Sequence, residues 1–202
     1  KQEAEIFQAQ DKGVKGIRAL IRKHFSREIR LSMVVHSPEF FLLYYLGFRL
    51  PIHQCNWIKM WQEVQLLIEL APRDHGKSWI FSYGLPLWEI YASAARTNLT
   101  SVDATMLQVS KTDEQAAKFG LQVRETIENN ALLRNDFGDI RDPSNWFKTK
   151  FRCKRDQPDV VKKDFTYEYV GVLGSITGGH FSDIILDDIL DLSKVEAGKI
   201  DI

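Results

Sequence analysis

Residues 71–78 of the chain read APRDHGKS, and they separate two segments of different character. The preceding residues, VQLLIEL (64–70), form an apolar run of strand length, so they predict a buried strand. The residues that follow are rich in aromatic and apolar side chains, and they predict a helix from Lys77 to about Ala95. A strand that enters a short polar loop and leaves it as a helix favours an α/β fold.

The loop fits the phosphate-binding pattern G-x-x-x-x-G-K-[ST], except that Ala71 replaces the first glycine. In such loops the backbone N–H groups and the helix N-terminus point at phosphate oxygens. Lys77 is predicted to add a mobile positive charge, and the Ser78 hydroxyl is predicted to ligate Mg²⁺. The alternative is a lysine-containing turn that caps a helix. The residues predicted to bind the phosphates of ATP are Ala71, Pro72, Arg73, Asp74, His75, Gly76, Lys77 and Ser78.

A second motif, DIILDD at 183–188, is an apolar strand that ends in carboxylates. Asp187 is predicted to hold Mg²⁺ through water, and Asp188 to orient the attacking water as the catalytic base. In ATPases that add a strand between the phosphate-loop strand and the acidic strand, this base is usually Glu. Aspartate is shorter by about 1.5 Å, so slow hydrolysis is expected unless the loop compensates. The alternative is a solvated turn with a helix N-cap, to which Asp183 and Asp191 add further charge.

The composition limits the classes of protein to which the chain can belong. The 202 residues suffice for one large domain or for a domain with a small subdomain. Lys+Arg and Asp+Glu are 27 each, so any contact with nucleic acid must use a local patch. The two cysteines fit no zinc pattern. The longest apolar run, 40–48, is about half the length that spans a bilayer, so no membrane partner is expected. Because the chain starts at Lys1 and ends at Ile202 without a cap, we expect a fragment.

The order of the predicted elements indicates how the chain is organised. Residues 2–50 have helical spacing, with Ser37-Pro38 as a predicted N-cap and first helical residue. After residue 64, apolar runs alternate with amphipathic segments, which predicts a parallel sheet with crossover helices. We therefore expect a helical lid or N-terminal segment at 1–50 and an α/β core at 51–202. The further predicted strands and helix are ATMLQVS (104–110), a helix from about Thr112 to Asn130, and β-rich runs near 146–153 and 165–172.

Three stretches together resemble the ATPase domain of the large terminase subunit, the motor that packages DNA into tailed-phage capsids. The resemblance covers roughly residues 50 to 195. The stretches are APRDHGKS, LQVSKTDEQAAKFGLQVRETIENNALLRNDFGDI and GVLGSITGGHFSDIILDDIL. The first alone would fit many ATPases, whereas the first and third together are quite specific.

The resemblance implies a P-loop NTPase fold of the class with the added strand (ASCE). It implies hydrolysis of ATP with Mg²⁺ to translocate double-stranded DNA into a procapsid. The implied partners are double-stranded DNA, the portal protein, the small terminase subunit and further copies of the chain in a ring. The implied location is the host cytoplasm, transiently at the procapsid vertex. The family's nuclease domain would lie beyond Ile202, so no nuclease activity is expected.

The resemblance also implies roles for single residues. Arg73 would be a catalytic arginine that contacts the γ-phosphate from within the same subunit. The alternative is an arginine paired with Asp74 or Asp188. His53 and Gln54 occupy the region that holds adenine in such motors, although residues at a helix start are often simply solvated.

Two further regions of the matched segment carry weaker expectations. Ser110, Lys111 and Thr112 lie where related motors touch DNA or phosphate, and an N-cap role for Ser110 or Thr112 is the alternative. The stretch 177–180, TGGH, lacks the arginine or lysine that the family often has there. A finger donated by a neighbouring subunit is therefore not placed, and the candidates are Arg134, Arg141 and Arg152.

Apart from these motifs, basic residues alternate with less polar residues at 148–154, KTKFRCK. On a strand, its charged residues would share one face and Thr149, Phe151 and Cys153 the other. DNA backbone or a neighbouring subunit's nucleotide would neutralise such a face. The alternative is an exposed edge strand that lysines keep from aggregating. The charged residues are Lys148, Lys150, Arg152 and Lys154.

Two other functions share the same motifs. A helicase-type, DNA-dependent translocase would carry a second ATPase-like lobe with arginine fingers. A nucleotide-sensing module would bind ATP without turnover, which Asp188 in place of Glu keeps open. ATPase activity with and without DNA separates the sensing module from the two motors.

Overall fold

The computed structural model describes residues 12–156, 164–174 and 179–189. The chain has an α/β architecture, in which helices flank a mixed sheet. The predicted alternation of helices and strands is found only around the strand Met106–Ser110, because, among the described residues, four strands follow one another after residue 140. The helices are α1 (Gly13–His24), α2 (Arg27–His36), α3 (Pro38–Phe41), α4 (Ile52–Glu63), α5 (Leu85–Arg96), α6 (Asp113–Asn129) and α7 (Ala131–Phe137). Two π-helical segments extend this set, Leu42–Leu46 after α3 and Trp79–Gly84 before α5. Within the described ranges, no helix is long and apolar enough to cross a membrane.

Side-chain caps fix where several helices begin. The Ser37 hydroxyl accepts a hydrogen bond from the Phe40 N–H at 3.1 Å, and Pro38 opens α3, which confirms the predicted N-cap. Thr112 caps α6 by accepting from the Gln115 N–H at 3.2 Å. The N-cap alternative for Thr112 is therefore confirmed. Each cap satisfies an N–H group that has no partner within its own helix.

Five strands form one mixed sheet in the order β2-β3-β4-β1-β5. The strands β4 and β5 flank β1 in parallel, whereas β3 is antiparallel to both β4 and β2. The expectation of a wholly parallel sheet is therefore wrong for its β2–β3 half, where a short connection of hairpin type replaces a crossover helix. The strands are β1 (Met106–Ser110), β2 (Arg141–Trp146), β3 (Lys150–Cys153), β4 (Tyr167–Gly171) and β5 (Asp183–Asp187).

Two segments differ from the sequence-based expectation. VQLLIEL at 64–70 pairs with none of the described strands, and Leu66 and Leu70 are 81% and 88% exposed. The predicted buried strand is therefore wrong for this structure, because no strand lies against it to cover its apolar side chains. Conversely, β2 precedes most of the β-rich run predicted near 146–153, and it contains Pro143. The sheet tolerates this proline because β2 is an edge strand among the five.

The described part of the N-terminal segment shares the core of the sheet domain. Val34 and Phe41 are fully buried in the same hydrophobic cluster as Tyr91 of α5. The Trp88 indole N–H donates to the Val34 carbonyl oxygen at 2.7 Å, which ties α5 to α2. These contacts hold α5, the helix that continues from the loop 71–78, against the N-terminal helices. Whether residues 1–50 act as a lid stays a prediction.

A buried ion pair joins α2 to α7. Arg30 donates to both carboxylate oxygens of Asp136, at 2.8 and 2.7 Å, and the Tyr45 hydroxyl donates to the same carboxylate at 2.8 Å. Burial disfavours the charged form of Asp136, but the hydrogen bonds from Arg30, Tyr45 and Asn135 outweigh it and lower the pKa of this carboxyl. Removing one partner of such a buried ion pair strongly destabilises the folded protein.

Candidate functional site: the loop 71–78 and the acidic strand

The loop 71–78 has the backbone form that its sequence requires. Gly76 has a φ of 80° and Asp74 a φ of 65°, so both lie in the left-handed region. Glycine enters that region at little cost, and aspartate is among the residues that tolerate it. The His75 ring nitrogen Nδ1 lies 2.9 Å from the Arg73 carbonyl oxygen, which closes the loop on itself. Arg73, Asp74 and His75 are exposed, whereas Lys77 and Ser78 are half-buried.

The start of α4 packs against this loop. The Gln54 Nε2 donates to the His75 carbonyl oxygen at 2.8 Å. The His53 ring lies 5.7 Å from the His75 ring and 5.0 Å from the Trp57 ring, centroid to centroid. The structure therefore brings His53 and Gln54 against the loop 71–78. Their predicted contact with adenine stays a prediction.

The helix after the loop begins irregularly. Lys77 and Ser78 start it, and Trp79–Gly84 is π-helical before α5 continues as an α-helix. Gly84 allows this segment to pack closely, because a Cβ there would lie 2.5 Å from a Leu42 methyl group. Short π-helical segments are frequent at functional sites. The predicted helix from Lys77 is confirmed, although its first turns are wider than an α-helix.

The two sequence motifs meet at the carboxylate of Asp187. The Ser78 hydroxyl donates to its Oδ1 at 3.2 Å. The Ser82 hydroxyl donates to its Oδ2 at 2.9 Å. Asp187 ends β5 at the level where Ser110 ends the parallel strand β1. The hydroxyl and the carboxylate predicted to share a metal ion thus lie side by side, although 109 residues separate them in the sequence.

Ser82 did not stand out in the sequence, because it lies within an aromatic-rich run. Its side chain is fully buried, and it follows Ser78 by four residues. Residues four apart lie on the same face of a helix. A second hydroxyl four residues after the motif serine was therefore a detectable signal.

Asp188 follows the strand in an unusual conformation. Its φ is 53°, and its side chain is exposed. Non-glycine residues in the left-handed region are uncommon and concentrate at functional sites. The backbone turns as soon as β5 ends. The Asp187 carboxylate therefore contacts Ser78 and Ser82, whereas the Asp188 side chain is exposed. Asp188 is thus free to face solvent or a ligand.

A cleft of about 770 Å³ runs from Lys77 along β5. One wall is the unpaired segment 64–70, and the other is β5, whose Ile184 and Leu186 are each 60% exposed. The floor is the face of α5 that carries Leu85 and Glu89. Lys77 reaches the cleft from the loop. Burial raises the pKa of the Glu89 carboxyl, although Arg96 forms an ion pair with it at 2.5 Å.

Two arginine candidates differ in their contacts. Arg73 is exposed, and it forms no ion pair with Asp74 or Asp188, all three being described residues. The alternative, in which Arg73 pairs with Asp74 or Asp188, is therefore wrong in this structure. Arg141 pairs with Asp139 at 2.6 Å, and its hydrogen bonds lower the pKa of that carboxyl to about 2.

The basic alternation has the predicted two faces only within β3, because Lys148, Thr149 and Lys154 lie outside this strand and are exposed. Phe151 and Cys153 are fully buried, whereas Lys150 and Arg152 are half exposed. Both cations lie over the Phe165 ring, at 4.6 and 5.3 Å from its centroid. The alternative of an edge strand is wrong, because β3 lies between β2 and β4. Three strand spacings separate β3 from β5, which is about 14 Å, so this face does not line the phosphate loop.

The described residues also limit how a metal ion could be held. Among them, no group of three His, Cys, Asp or Glu side chains could hold an ion by itself. Asp191, the fourth member of the predicted acidic cluster, lies outside the described residues. Mg²⁺ usually takes only one or two protein oxygens and completes its shell with water and phosphate. The Ser78 hydroxyl and the Asp187 carboxylate fit that pattern.

Comparisons of the chain with protein-family models, with curated proteins and with solved structures found no match.

Proposed function

We propose that the chain is the ATPase motor domain of a viral genome-packaging terminase. It hydrolyses ATP with Mg²⁺ to translocate double-stranded DNA into a procapsid. The observation that carries the ATPase part is the contact between the Ser78 hydroxyl and the Asp187 carboxylate at 3.2 Å. It joins the phosphate-loop pattern to the acidic strand in the arrangement that a Mg²⁺-bound triphosphate needs.

The residues of the proposed site divide the work between binding and chemistry. The loop N–H groups and the Lys77 ammonium bind the β- and γ-phosphates. Ser78 and Asp187 hold Mg²⁺, which neutralises charge on the phosphates when it is bound. Asp188 orients and deprotonates the attacking water, and Arg73 contacts the γ-phosphate. Because the Arg73 side chain is exposed beside the loop, it can approach a bound nucleotide without breaking an existing ion pair.

The cleft supports the finer fold that we propose, a P-loop NTPase with an added strand. The cleft runs along β5, which is an edge strand of the described sheet, and the segment 64–70 lies on its other side. A strand placed there would pair with β5 and cover Ile184 and Leu186. It would also join the segment 64–70 to the sheet, in the order expected for this class of ATPase.

The motor part of the proposal rests on the resemblance and on the basic face of β3. Lys150 and Arg152 lie about 14 Å from β5, too far to act on a nucleotide in the same chain. A long anion outside the site, such as the DNA backbone, or a nucleotide of a neighbouring copy is within their reach. The proposed assembly is a ring of copies on the capsid portal, with the small terminase subunit as a further partner.

The test is the steady-state ATPase rate with and without double-stranded DNA. We expect Mg²⁺-dependent hydrolysis that DNA stimulates, and we expect Lys77→Ala to abolish it without lowering the melting temperature. Lys59→Ala is the matched control, because Lys59 is exposed on α4 and forms only an i,i+4 pair with Glu63. Undiminished hydrolysis by Lys77→Ala would overturn the ATPase assignment.

The same measurement separates the second candidate, a nucleotide-sensing module. That candidate is favoured by Asp188, which is one methylene shorter than the usual Glu and exposed. Wild-type protein that binds ATP tightly but does not hydrolyse it, with DNA or without, would support the sensor and contradict the motor.

A further inference from the structure

Ser82 has a role that the phosphate-loop motif does not explain. It lies in the π-helical segment four residues after Ser78, and its side chain is fully buried. Its hydroxyl is 2.9 Å from the Asp187 Oδ2, the oxygen that Ser78 does not contact. We propose that Ser82 is a positioning residue, which holds the Asp187 carboxylate in the orientation that receives Mg²⁺. This inference rests on the proposed function.

The carboxylate needs such a restraint. The terminal torsion of an aspartate side chain is broad, so one hydrogen bond leaves the plane of the carboxylate free to turn. Two hydroxyls, one at each oxygen, fix both the plane and the choice of oxygen. When the Ser78 hydroxyl turns to a metal ion, its hydrogen bond to Oδ1 is weakened. The bond from Ser82 to Oδ2 remains and keeps Oδ1 directed at the ion.

The local sequence gives no other reason for a hydroxyl at this position. Serine is a poorer helix former than alanine, and a buried hydroxyl requires a hydrogen-bond partner. In helix interiors, serine often bonds to the carbonyl oxygen four residues earlier. The Ser82 hydroxyl instead donates to β5, an element about a hundred residues away. Its partner therefore belongs to the proposed metal site.

The experiment compares ADP affinity in EDTA with ADP affinity at a series of Mg²⁺ concentrations, by calorimetry. In Ser82→Ala we expect the affinity in EDTA to stay within about twofold of wild type. The Mg²⁺ concentration that gives half of the metal-dependent gain should rise about 10- to 100-fold, the usual loss when a group that orients a metal ligand is removed. Ser82→Thr keeps the hydroxyl and should restore most of the response.

A matched control uses another buried serine of the same helix. The Ser93 hydroxyl, in α5, accepts from the Asp103 N–H at 2.8 Å and has no contact with Asp187. Ser93→Ala should therefore lower the melting temperature and leave the Mg²⁺ response unchanged. If Ser82→Ala behaves like Ser93→Ala, the hydroxyl is structural and the inference is overturned.

The outcome also separates this inference from the proposed function. If Lys77→Ala loses nucleotide binding while Ser82→Ala keeps the wild-type Mg²⁺ response, only the role of Ser82 is wrong. If Lys77→Ala binds nucleotide normally, both the proposed site and the role of Ser82 are wrong.

Discussion

Replacing Gly76 by alanine perturbs the loop in two ways that the structure specifies. The residue has a φ of 80°, which alanine adopts only with strain. A Cβ at this position would also lie 2.7 Å from the Gln54 Nε2. That atom donates to the His75 carbonyl oxygen, so Gln54 must release the loop to make room. The substitution should therefore favour other loop conformations over the one that cradles phosphate.

The two effects set the size of the expected loss. The left-handed conformation costs about 1–2 kcal/mol for a residue with a Cβ. The displaced hydrogen bond adds about 0.5–1.5 kcal/mol. Together they amount to about 1.5–3.5 kcal/mol. Only molecules with the competent loop bind, so the apparent ADP affinity should fall by about tenfold to about 300-fold.

The assay is calorimetric titration with ADP, arranged as a double-mutant cycle with Gln54→Ala. Because the clash is with the Gln54 side chain, Gly76→Ala should cost less in the Gln54→Ala background. Gly138→Ala is the matched control, since Gly138 has a φ of 74° but open space around its Cβ, and it lies outside the loop. It should lower stability and leave ADP affinity unchanged. Wild-type affinity in Gly76→Ala would refute the reasoning.

Four further substitutions test separate parts of the structure. Asp187→Asn should weaken Mg²⁺-dependent nucleotide binding, whereas Asp188→Asn should keep binding and stop hydrolysis. Normal single-turnover hydrolysis by Asp188→Asn would show that the catalytic base is another residue. Arg73→Ala should lower affinity for a non-hydrolysable ATP analogue more than affinity for ADP, because only the analogue carries a γ-phosphate; equal losses in the two titrations would contradict this role. Asp136→Asn should lower the free energy of unfolding in urea by about 3–5 kcal/mol, because Arg30 is left buried without its counter-charge. The pKa of Asp136 is lower in the folded than in the unfolded protein. The charged carboxylate therefore stabilises the fold above about pH 4, and this contribution is lost as the pH falls through the folded-state pKa. Asp136→Asn should accordingly lose less stability on acidification than wild type.

Sequence reasoning located the parts of the site that depend on local chemistry. The glycine with positive φ, the helix that starts at Lys77 and the carboxylate at the end of β5 each follow from a short pattern. The N-caps at Ser37 and Thr112 were equally local. Such features are decided by a few neighbouring residues, so a single sequence suffices to predict them.

Features that depend on distant neighbours were harder to predict. An apolar run such as 64–70 predicts a strand, but strand pairing also needs a partner, and the described sheet provides none. The antiparallel β2–β3 pair follows a turn-like sequence whose proline is acceptable only at a sheet edge. The spacing of Ser82 four residues after Ser78 is visible in the sequence, but its hydrogen bond to Asp187 depends on how β5 approaches the helix.

The measurement that tests the central claim most directly is calorimetric titration of wild type and Lys77→Ala with ATP in the presence of Mg²⁺. The central claim is that residues 71–78 and Asp187 form one Mg²⁺–nucleotide site. We expect wild type to bind one ATP per chain, and we expect Lys77→Ala to show no measurable binding at an unchanged melting temperature. Equal binding by the two proteins, or no binding by either, would contradict the claim.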